Sequence, residues 1–405
     1  MDSLVNDFRD WDLKGKYKIE KEIGAGSYGS VVRARHAVTG QVVAVKRVTN
    51  LFDDLVDGKR TLRELALLKR LKHPNIVNLI EVFVPNDDFA NFTEISMVLE
   101  CAPSDLKKVF KSKAHLSLES IVLITYNMLV GLKYIHSAGV WHRDLKPANV
   151  LMFDNGQAKL CDFGLARSVE TAPVLTESKT IENADTLPKA RPGLKKASKL
   201  KNNLTSHVVT RWYRAPEVIL VEKNYNQKID VWSLGCIFTE LLLMMKEHTD
   251  SPLERKPFFP GHSCFPLSPD SNAKLQKSGF PVDSADQLIM ILKKMGTPGP
   301  GDLEFITDEK ALAYLKSMPQ YPKSNLSKIF HAASQEAINF IEGCLTFNPH
   351  KRLSIDECLA HPLFAAIRNP SVEKVEHQKL IFDFESDEIR TVKQLRELFV
   401  KEIKS

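Results

Sequence analysis

The sequence lacks the patterns by which membrane-spanning and secreted proteins are usually recognised. No stretch reaches the roughly 18 uninterrupted apolar residues of a transmembrane helix, and the best candidate, residues 231–245, is interrupted by Ser233 and Glu240 and predicts a buried helix. The first residues do not form the basic-then-apolar pattern of a secretory leader. The six cysteines include no C-x-x-C pair, which favours reduced thiols. We therefore expect no membrane partner and a location in the cytoplasm, with the nucleus as a second compartment.

A large charge of one sign is also missing. The chain has 56 basic and 50 acidic side chains, a net charge of +6 over 405 residues, which is too mild to indicate a nucleic-acid partner. The hydrophobic content of 43 % and the charged content of 26 % are ordinary. A chain of this length and composition can bury the cores of two lobes.

A glycine-rich segment lies between two predicted strands near the amino terminus. The run Gly24-Ala25-Gly26-Ser27-Tyr28-Gly29 has the spacing G-x-G-x-x-G, which is weak by itself because dinucleotide-binding folds share it. In those folds the glycines open a helix, whereas residues 30–35 are β-branched and alternating and predict a strand. No Gly-Lys-Ser or Gly-Lys-Thr follows, which excludes a Walker-type loop. The segment therefore predicts a hairpin flap whose backbone can approach phosphate groups closely.

The most informative cluster of polar groups lies near the middle of the chain. The run H-R-D-L-K-x-x-N ends at Asn149, and D-F-G follows from Asp162. A carboxylate, an ammonium group and a carboxamide within six residues suit phosphoryl transfer, which needs positioning and charge neutralisation. Asp144 can accept the proton of an attacking hydroxyl, and Lys146 can neutralise charge on the transferred group. Asn149 and Asp162 supply the oxygen ligands that Mg²⁺ prefers.

With these motifs in this order, the chain resembles a eukaryotic protein kinase over about residues 17–364. The resemblance implies an α+β fold of two lobes, a small β-rich lobe over residues 17–101 and a larger helical lobe over residues 102–364. It also implies ATP and Mg²⁺ as cofactors. The remaining residues, 365–405, are expected to form an extension that packs back on the kinase domain.

The resemblance also assigns roles to individual residues. Lys46 ends a predicted apolar strand and would reach the α- and β-phosphates of ATP, while Glu64, on a helix predicted over residues 59–68, would pair with it. In a hinge between the lobes, the backbone of Ala102 would bind adenine next to the gatekeeper Leu99. The other residues expected around ATP are Ile23, Gly24, Ala25, Gly26, Ser27, Tyr28, Gly29 and Val31.

Three charged residues are expected to have structural roles. Asp230 would brace the backbone of the catalytic loop from the start of a buried helix. Arg352 would pair with Glu217, and a buried pair of this kind holds geometry without necessarily adding net stability.

The segment after D-F-G indicates a subclass. Residues 210–217 read T-R-W-Y-R-A-P-E, which resembles the MAP kinases. Typical members carry a T-x-Y motif upstream that is phosphorylated on both residues, but here Thr205 is followed by Ser206 and His207, which resembles a protozoan subclass. Dual phosphorylation of threonine and tyrosine is therefore impossible at this motif.

A single phosphothreonine at Thr205 is the expected switch. It would add nearly two negative charges, and Arg63, Arg143 and Arg167 fit the family's phosphothreonine pocket. An upstream kinase or the enzyme itself would add the phosphate; the alternative is a plain loop residue in a constitutively active kinase. Arg214 in this context goes with a preference for proline after the target residue, so protein substrates with Ser/Thr-Pro sites are expected.

Two insertions and one substitution distinguish the chain from the family pattern. Residues 168–204 are polar with a basic second half, which indicates either a docking or nuclear-import patch or a solvated loop. Residues 246–282 are either a partner-binding surface or a tolerated loop. In the segment 369–373, where the resemblance implies an acidic docking site, only Glu373 is acidic, which disfavours docking of basic motifs there.

Three functions fit these observations. The first is a monomeric, active serine/threonine kinase of the MAP kinase-like class. The second is a pseudokinase scaffold, which the loss of Lys46, Asp144 or Asp162 would support, but all three are present. The third is a relative of the cyclin-dependent or glycogen-synthase kinases; the context of the activation segment and the carboxy-terminal extension favour the MAP kinase interpretation.

Overall fold

The computed structural model describes residues 11–26, 29–168, 211–249, 251–264, 274–275, 281–282, 285–385, 389 and 391–405. Several predicted features lie outside these residues: Ser27, Tyr28, Thr205, His207 and residues 169–204 of the first insertion.

The amino-terminal lobe is a five-stranded antiparallel sheet in the order β1-β2-β3-β5-β4 with one helix. Lys46 lies inside β3 and not at its end as predicted, because Arg47 and Val48 continue the pairing with Ser96 and Ile95 of β5. The strands are β1 (Tyr17–Gly26), β2 (Gly29–His36), β3 (Val42–Val48), β4 (Leu79–Phe83) and β5 (Ile95–Glu100).

The helix of this lobe, α1 (Leu55–Arg70), carries an apolar stripe toward the core. Its first turn is capped by Asp54, whose side chain accepts hydrogen bonds from two backbone N–H groups. Leu62, Leu65 and Leu68 recur at helical spacing and are fully buried. The helix extends beyond the predicted residues 59–68 at both ends, and it stops where Leu71 adopts an extended conformation.

The carboxy-terminal lobe is mainly helical, so the expected α+β architecture of two lobes is present. Its strands form small sheets in the orders β6-β8-β9, β10-β7 and β11-β12. The helices of this lobe are α2 (Leu106–Lys111), α3 (Leu118–Ser137), α4 (Pro216–Ile219), α5 (Lys228–Leu242), α6 (Gln287–Met295), α7 (Glu309–Ser317), α8 (Leu326–Ile329), α9 (Gln335–Cys344) and α10 (Ile355–Leu359). A further helix, α11 (Val392–Lys404), belongs to the carboxy-terminal extension. The strands are β6 (Ser104–Asp105), β7 (Val140–Trp141), β8 (Val150–Met152), β9 (Ala158–Leu160), β10 (Arg167–Ser168), β11 (Lys274–Leu275) and β12 (Pro281–Val282).

Short 3-10 helices connect these elements, and most of them begin with proline, whose fixed φ suits a first helical position. They lie at Pro85–Asp87, Pro147–Asn149, Pro252–Glu254, Pro300–Asp302, Pro362–Phe364, Pro370–Val372 and Asp383–Glu385.

Among the described residues, α3 is the one helix that combines the length and the apolar composition of a membrane span, although the sequence interpretation gave residues 231–245 as the best candidate. By length and composition alone α3 could cross a membrane, but 67 % of its most apolar window is buried inside the protein. This burial is typical of the central helix of a folded lobe.

The predicted ion pair between Arg352 and Glu217 is present and fully buried. The two guanidinium nitrogens lie 2.6 and 2.8 Å from the two carboxylate oxygens. The guanidinium also lies over the ring of Trp232, 5.1 Å from its centroid. The pair joins α4 to the segment between α9 and α10, and thereby holds the chain after the activation segment against the lobe.

The end of the carboxy-terminal extension packs against the amino-terminal lobe. There α11 packs against α1, with Leu395 and Phe399 fully buried. Arg70 of α1 donates a hydrogen bond of 2.6 Å to Glu402. Gly58 permits this approach, since a Cβ atom at that position would lie 2.6 Å from the Leu395 side chain.

Glu373, the acidic residue of the segment 369–373, is largely buried. Its carboxylate accepts hydrogen bonds from Arg368 at 2.8 Å, Lys133 at 3.2 Å and Tyr126 at 3.3 Å. The charge of this carboxylate is therefore balanced inside the protein.

The described part of the second insertion is attached to the loop before α3. Arg255 donates hydrogen bonds to the backbone oxygens of Ser112 at 2.8 Å and Ala114 at 2.7 Å. These contacts hold the insertion beside α2.

Candidate active site

Most of the residues that were predicted to bind ATP, bind magnesium or catalyse phosphoryl transfer line one cleft between the lobes. Its volume is about 910 Å³. The sheet of the amino-terminal lobe forms its roof, and the catalytic loop forms its floor. The predicted residues that line it are Ile23, Gly24, Ala25, Gly29, Val31, Lys46, Glu64, Ala102, Asp144, Lys146, Asn149 and Asp162.

The glycine-rich segment is the tip of a hairpin, as its flanking sequence predicted. Strands β1 and β2 remain paired up to Gly26 and Gly29. Gly29 has a φ of +145°, and a Cβ atom there would lie 1.8 Å from the backbone oxygen of Arg47. A side chain cannot be accommodated at this position, so glycine is required where the start of β2 pairs with β3.

Lys46 and Glu64 form an ion pair between β3 and α1. The lysine Nζ lies 2.7 Å from both carboxylate oxygens. Burial lowers the pKa of Lys46, but the carboxylates of Glu64 and Asp162 outweigh this effect and hold the pKa above its ordinary value. The lysine is therefore a fixed positive charge directed at the cleft.

Asp144 lies at the centre of a hydrogen-bonded cluster on the floor of the cleft. Lys146 Nζ donates to Asp144 Oδ2 at 2.5 Å. Asn149 Nδ2 donates to the Asp144 backbone oxygen at 2.8 Å and to Oδ2 at 3.2 Å. The side chains of Asp144 and Lys146 keep 14 % and 23 % of their surface exposed, so both can reach a ligand in the cleft.

Asp230 braces this loop from α5, as predicted. Its carboxylate accepts the backbone N–H groups of His142 at 2.9 Å and Arg143 at 2.8 Å, and it lies 2.8 Å from His136 Nε2. Burial raises the pKa of Asp230, but the hydrogen bonds and the nearby histidines outweigh burial and hold that pKa below its ordinary value. Two consecutive N–H groups on a buried anion fix the turn in which Arg143 has a positive φ of 67°.

The D-F-G segment is anchored by its phenylalanine. Phe163 is fully buried, and its ring lies 5.2 Å from that of His142. The His142 Nε2 atom is 3.1 Å from the backbone oxygen of Cys161. Asp162 has a positive φ of 65°, and its side chain faces the cleft.

The donor set fits a magnesium ion shared with phosphates. Asn149 uses its amide N–H groups on Asp144, which leaves its oxygen for a ligand, and Asp162 adds a carboxylate. Mg²⁺ usually takes one or two such protein oxygens and completes its shell with phosphate and water. Within the described ranges no cluster of three or more His, Cys, Asp or Glu side chains could hold a metal by itself.

The hinge follows β5, and Leu99 and Ala102 both lie at the cleft. Glu100 ties the start of the hinge to β9 and to Asn78, because its carboxylate accepts hydrogen bonds from Lys159 at 2.6 Å and from the backbone N–H of Asn78 at 2.8 Å. These bonds hold the chain two residues before Ala102, which lines the cleft.

Sequence reasoning missed several residues that line the cleft. Ala44 could have been found, since alternation along β3 places it on the same face as Lys46. Leu151 and Asp105 could not, because β8 and β6 bring them to the cleft only by tertiary pairing. Cys161 was not missed: its position directly before Asp162 indicated either a neighbour of the nucleotide or a small buried residue, and it lines the cleft. Burial raises the pKa of its thiol, which disfavours a reactive thiolate.

The three arginines predicted to bind phosphothreonine are neighbours. Burial lowers the pKa of Arg143, and the charges of Arg167 and Arg63 lower it further, while Tyr225 opposes the shift. The Arg143 guanidinium lies 5.6 Å from the centroid of the Tyr225 ring. Arg63, in contrast, is bound by Glu385 of the extension, a contact that no local pattern predicted. Thr205 itself lies outside the described residues.

Comparison with known proteins agrees with this geometry. The model of the family described as "Protein kinase domain" matches residues 17–364. Mitogen-activated protein kinase 1 of Oryza sativa subsp. japonica is 35 % identical over 393 residues, which cover 97 % of this chain and 83 % of that protein. Mitogen-activated protein kinase 6 of Arabidopsis thaliana is 35 % identical over 393 residues, with coverages of 97 % and 84 %. Extracellular signal-regulated kinase 1 of Dictyostelium discoideum is 36 % identical over 371 residues, with coverages of 92 % and 59 %.

Proposed function

Because the chain belongs to the protein kinase family and is a MAP kinase-like serine/threonine kinase, we propose that its cleft transfers the γ-phosphoryl group of ATP with the residues described above. The observation that supports these assignments is that Lys46, Asp144, Asn149 and Asp162 line one cleft beneath a glycine flap. The pseudokinase alternative loses its support, since none of these groups is missing or displaced. The cyclin-dependent alternative is not favoured, because the relatives reported above are mitogen-activated kinases.

In the proposed mechanism, Asp144 accepts the proton of the substrate hydroxyl. The hydroxyl oxygen forms a bond to the γ-phosphorus while the bond from that phosphorus to the β–γ bridging oxygen breaks, and ADP leaves. Lys146, which lies 2.5 Å from Asp144, neutralises charge on the moving group. Lys46 holds the α- and β-phosphates, and Glu64 fixes its reach.

Magnesium would be held by Asn149 and Asp162. When bound, the ion neutralises charge on the phosphates and aligns them. Lys146 and Asp144 meanwhile keep Asn149 oriented through the cluster of hydrogen bonds described above.

The experiment that tests the catalytic assignment is transfer of labelled phosphate to a generic basic protein. Asp144→Ala should reduce kcat by about a hundredfold or more, because a positioned general base typically contributes that much. Asp154→Ala is the matched control, since Asp154 is an exposed residue of the β8–β9 turn. Equal activity of Asp144→Ala and the control would overturn the assignment.

The proposed target sequence is serine or threonine followed by proline. Arg214 and Tyr213 lie with Asp144 around a small cavity beside the catalytic loop, so the residue after the target hydroxyl would meet this arginine. On a peptide array, replacement of the proline should abolish most phosphorylation. Unchanged signal after that replacement would contradict the proposed specificity.

The proposed switch is phosphorylation of Thr205 by an upstream kinase or by the enzyme itself. The adjacent cations Arg63, Arg143 and Arg167 support it, because a phosphate is a partner that three arginines can share. Purified Thr205→Ala enzyme, after treatment with activating kinase, should remain at the basal rate. A rate equal to that of activated wild type would contradict the switch.

A further inference from the structure

Arg63, which precedes Glu64 on α1, forms an ion pair with a carboxylate of the carboxy-terminal extension. Arg63 binds Glu385 through two contacts: Nε to Oε1, and Nη2 to Oε2 at 2.8 Å. The side chains are only 13 % and 6 % exposed. A bidentate pair with this burial is a strong and geometrically specific interaction.

The same guanidinium also holds the D-F-G segment. Arg63 Nη1 donates a hydrogen bond of 2.8 Å to the backbone oxygen of Gly164. One side chain therefore joins three elements: the extension, the helix that carries Glu64, and the segment that carries Asp162. A change at Glu385 can reach the cleft through Arg63, although Glu385 does not line the cleft.

Glu385 is held in place by buried aromatic residues. Its short 3-10 helix, Asp383–Glu385, includes Phe384, which is buried and stacks on Phe382 with 4.9 Å between ring centroids. The guanidinium of Arg70 covers the Phe382 ring at 5.3 Å. The carboxylate is thus presented to Arg63 in a fixed position, and little conformational entropy is lost when the pair forms.

Glu385 also supplies negative charge to a region rich in positive charge. Arg143 lies close enough to Arg63 and Arg167 for their charges to lower its pKa, and its contact with Tyr225 is to an aromatic ring. In this arrangement, with Glu385 bound to Arg63, the Lys46–Glu64 pair is fully formed. The bound carboxylate is therefore compatible with a complete catalytic geometry.

We infer that Glu385 is a positioning residue that supplies in cis the negative charge Arg63 needs to hold α1 and the D-F-G segment in their catalytic arrangement. The inference rests on the proposed phosphoryl transfer. It applies to the enzyme whose activation segment is not phosphorylated. The enzyme then has basal activity without a phosphate in the activation segment. A phosphate that arrives later adds to the arginine cluster and does not create the arrangement.

The test compares Glu385→Gln with wild type, both as full-length, phosphatase-treated protein. The substitution keeps the shape and removes the charge. It should lower kcat/KM for ATP by about tenfold, since a charged hydrogen-bond partner typically contributes that much. The matched control is Glu397→Gln, the same change at an exposed position of the same extension, and it should leave kcat/KM unchanged. Equal or higher kcat/KM for Glu385→Gln would overturn the inference.

A double-mutant cycle separates positioning from general destabilisation. If Glu385 acts through Arg63, then Glu385→Gln should have no further effect on kcat/KM in an Arg63→Ala background. A further loss of the same tenfold size there would overturn the inference. Binding of a fluorescent ATP analogue is measured in parallel and should weaken in Glu385→Gln but not in Glu397→Gln. If the wild-type protein bound the analogue but transferred no phosphate, the proposed function would be overturned. The comparison of analogue binding between Glu385→Gln and Glu397→Gln would still test the inference.

Discussion

At the scale of single residues, Glu240 is a carboxyl group kept protonated in the core. It lies on α5, where burial raises its pKa to about 8, an effect that the hydrogen bond from Tyr213 reduces only in part. One of its carboxyl oxygens has no hydrogen-bond partner among the described residues. Since Tyr213 belongs to the T-R-W-Y-R-A-P-E run, this hydrogen bond links α5 to that run.

Glu240 predicts a specific dependence of stability on pH. Its folded-state pKa is above the ordinary value of 4.5, so the folded protein binds more protons than the unfolded chain between these values. The free energy of unfolding should therefore fall as the pH rises from about 4.5 to about 8. Glu240→Gln removes this titration and should stabilise the protein at pH 8 by on the order of 2–4 kcal/mol, with little gain at pH 4.5.

Urea unfolding of both proteins at the two pH values measures this difference. Glu397→Gln, at an exposed position, is the control and should not change the pH profile. If Glu240→Gln follows the same pH profile as wild type, Glu240 is ionised in the folded protein and the prediction is wrong.

At the scale of secondary-structure elements, the end of α4 shows a local conflict between sequence and conformation. The helix ends at Ile219 with Leu220 as its cap, and the next residue, Val221, has a positive φ of 57°. This position usually holds glycine or asparagine, because a β-branched side chain is strained there. The Val221 side chain is 49 % exposed, so little packing compensates the strain.

Val221→Asn should therefore stabilise the protein by about 0.5–1 kcal/mol, since asparagine adopts this conformation at lower cost. The gain would appear as a higher melting temperature. Val38→Asn is the matched control, because Val38 is 89 % exposed and is not among the residues with positive φ. An unchanged or lower melting temperature for Val221→Asn would show that the strain is compensated elsewhere.

At the scale of the whole molecule, the carboxy-terminal extension makes the amino-terminal lobe depend on the end of the chain. Helix α11 buries Leu395 and Phe399 against α1, the helix that carries Glu64. Lys69 of α1 also donates a hydrogen bond to the backbone oxygen of Glu402. The position of a residue in the cleft therefore depends on packing at the far side of the lobe.

Leu395→Ala should destabilise the protein by about 2–5 kcal/mol, because it leaves a cavity between α11 and α1. It should also weaken ATP binding at temperatures where the protein is folded, since α1 loses part of its support. Leu253→Ala, at a position 88 % exposed, should do neither. Isothermal titration with an ATP analogue and thermal unfolding measure the two effects. Lower stability with unchanged affinity would mean that α11 stabilises the lobe without positioning α1.

Short-range features of the site were predictable from the sequence. The flap, the strand that carries Lys46, the helix that carries Glu64 and the loop around Asp144 each depend on neighbours in the chain, through alternation, helical spacing and glycine conformation. The order of these motifs also indicated the family and the two-lobed fold. The boundaries were less accurate, because β3 continues past Lys46 through pairing with β5, and α1 extends beyond the predicted residues 59–68 at both ends.

Only the tertiary structure decided the contacts between residues that are far apart in the chain. No local sequence pattern indicates these contacts. Arg63 was assigned to a phosphate from its position, but the folded chain gives it Glu385, which is 322 residues away. The cleft likewise receives Leu151 and Asp105 through strand pairing that their own segments do not specify. Local propensity acts over a few residues, whereas the partner of a buried charge is set by which distant surfaces the core brings together. The sequence by itself therefore determined the motifs that line the cleft, while the fold determined which distant residues hold them in place.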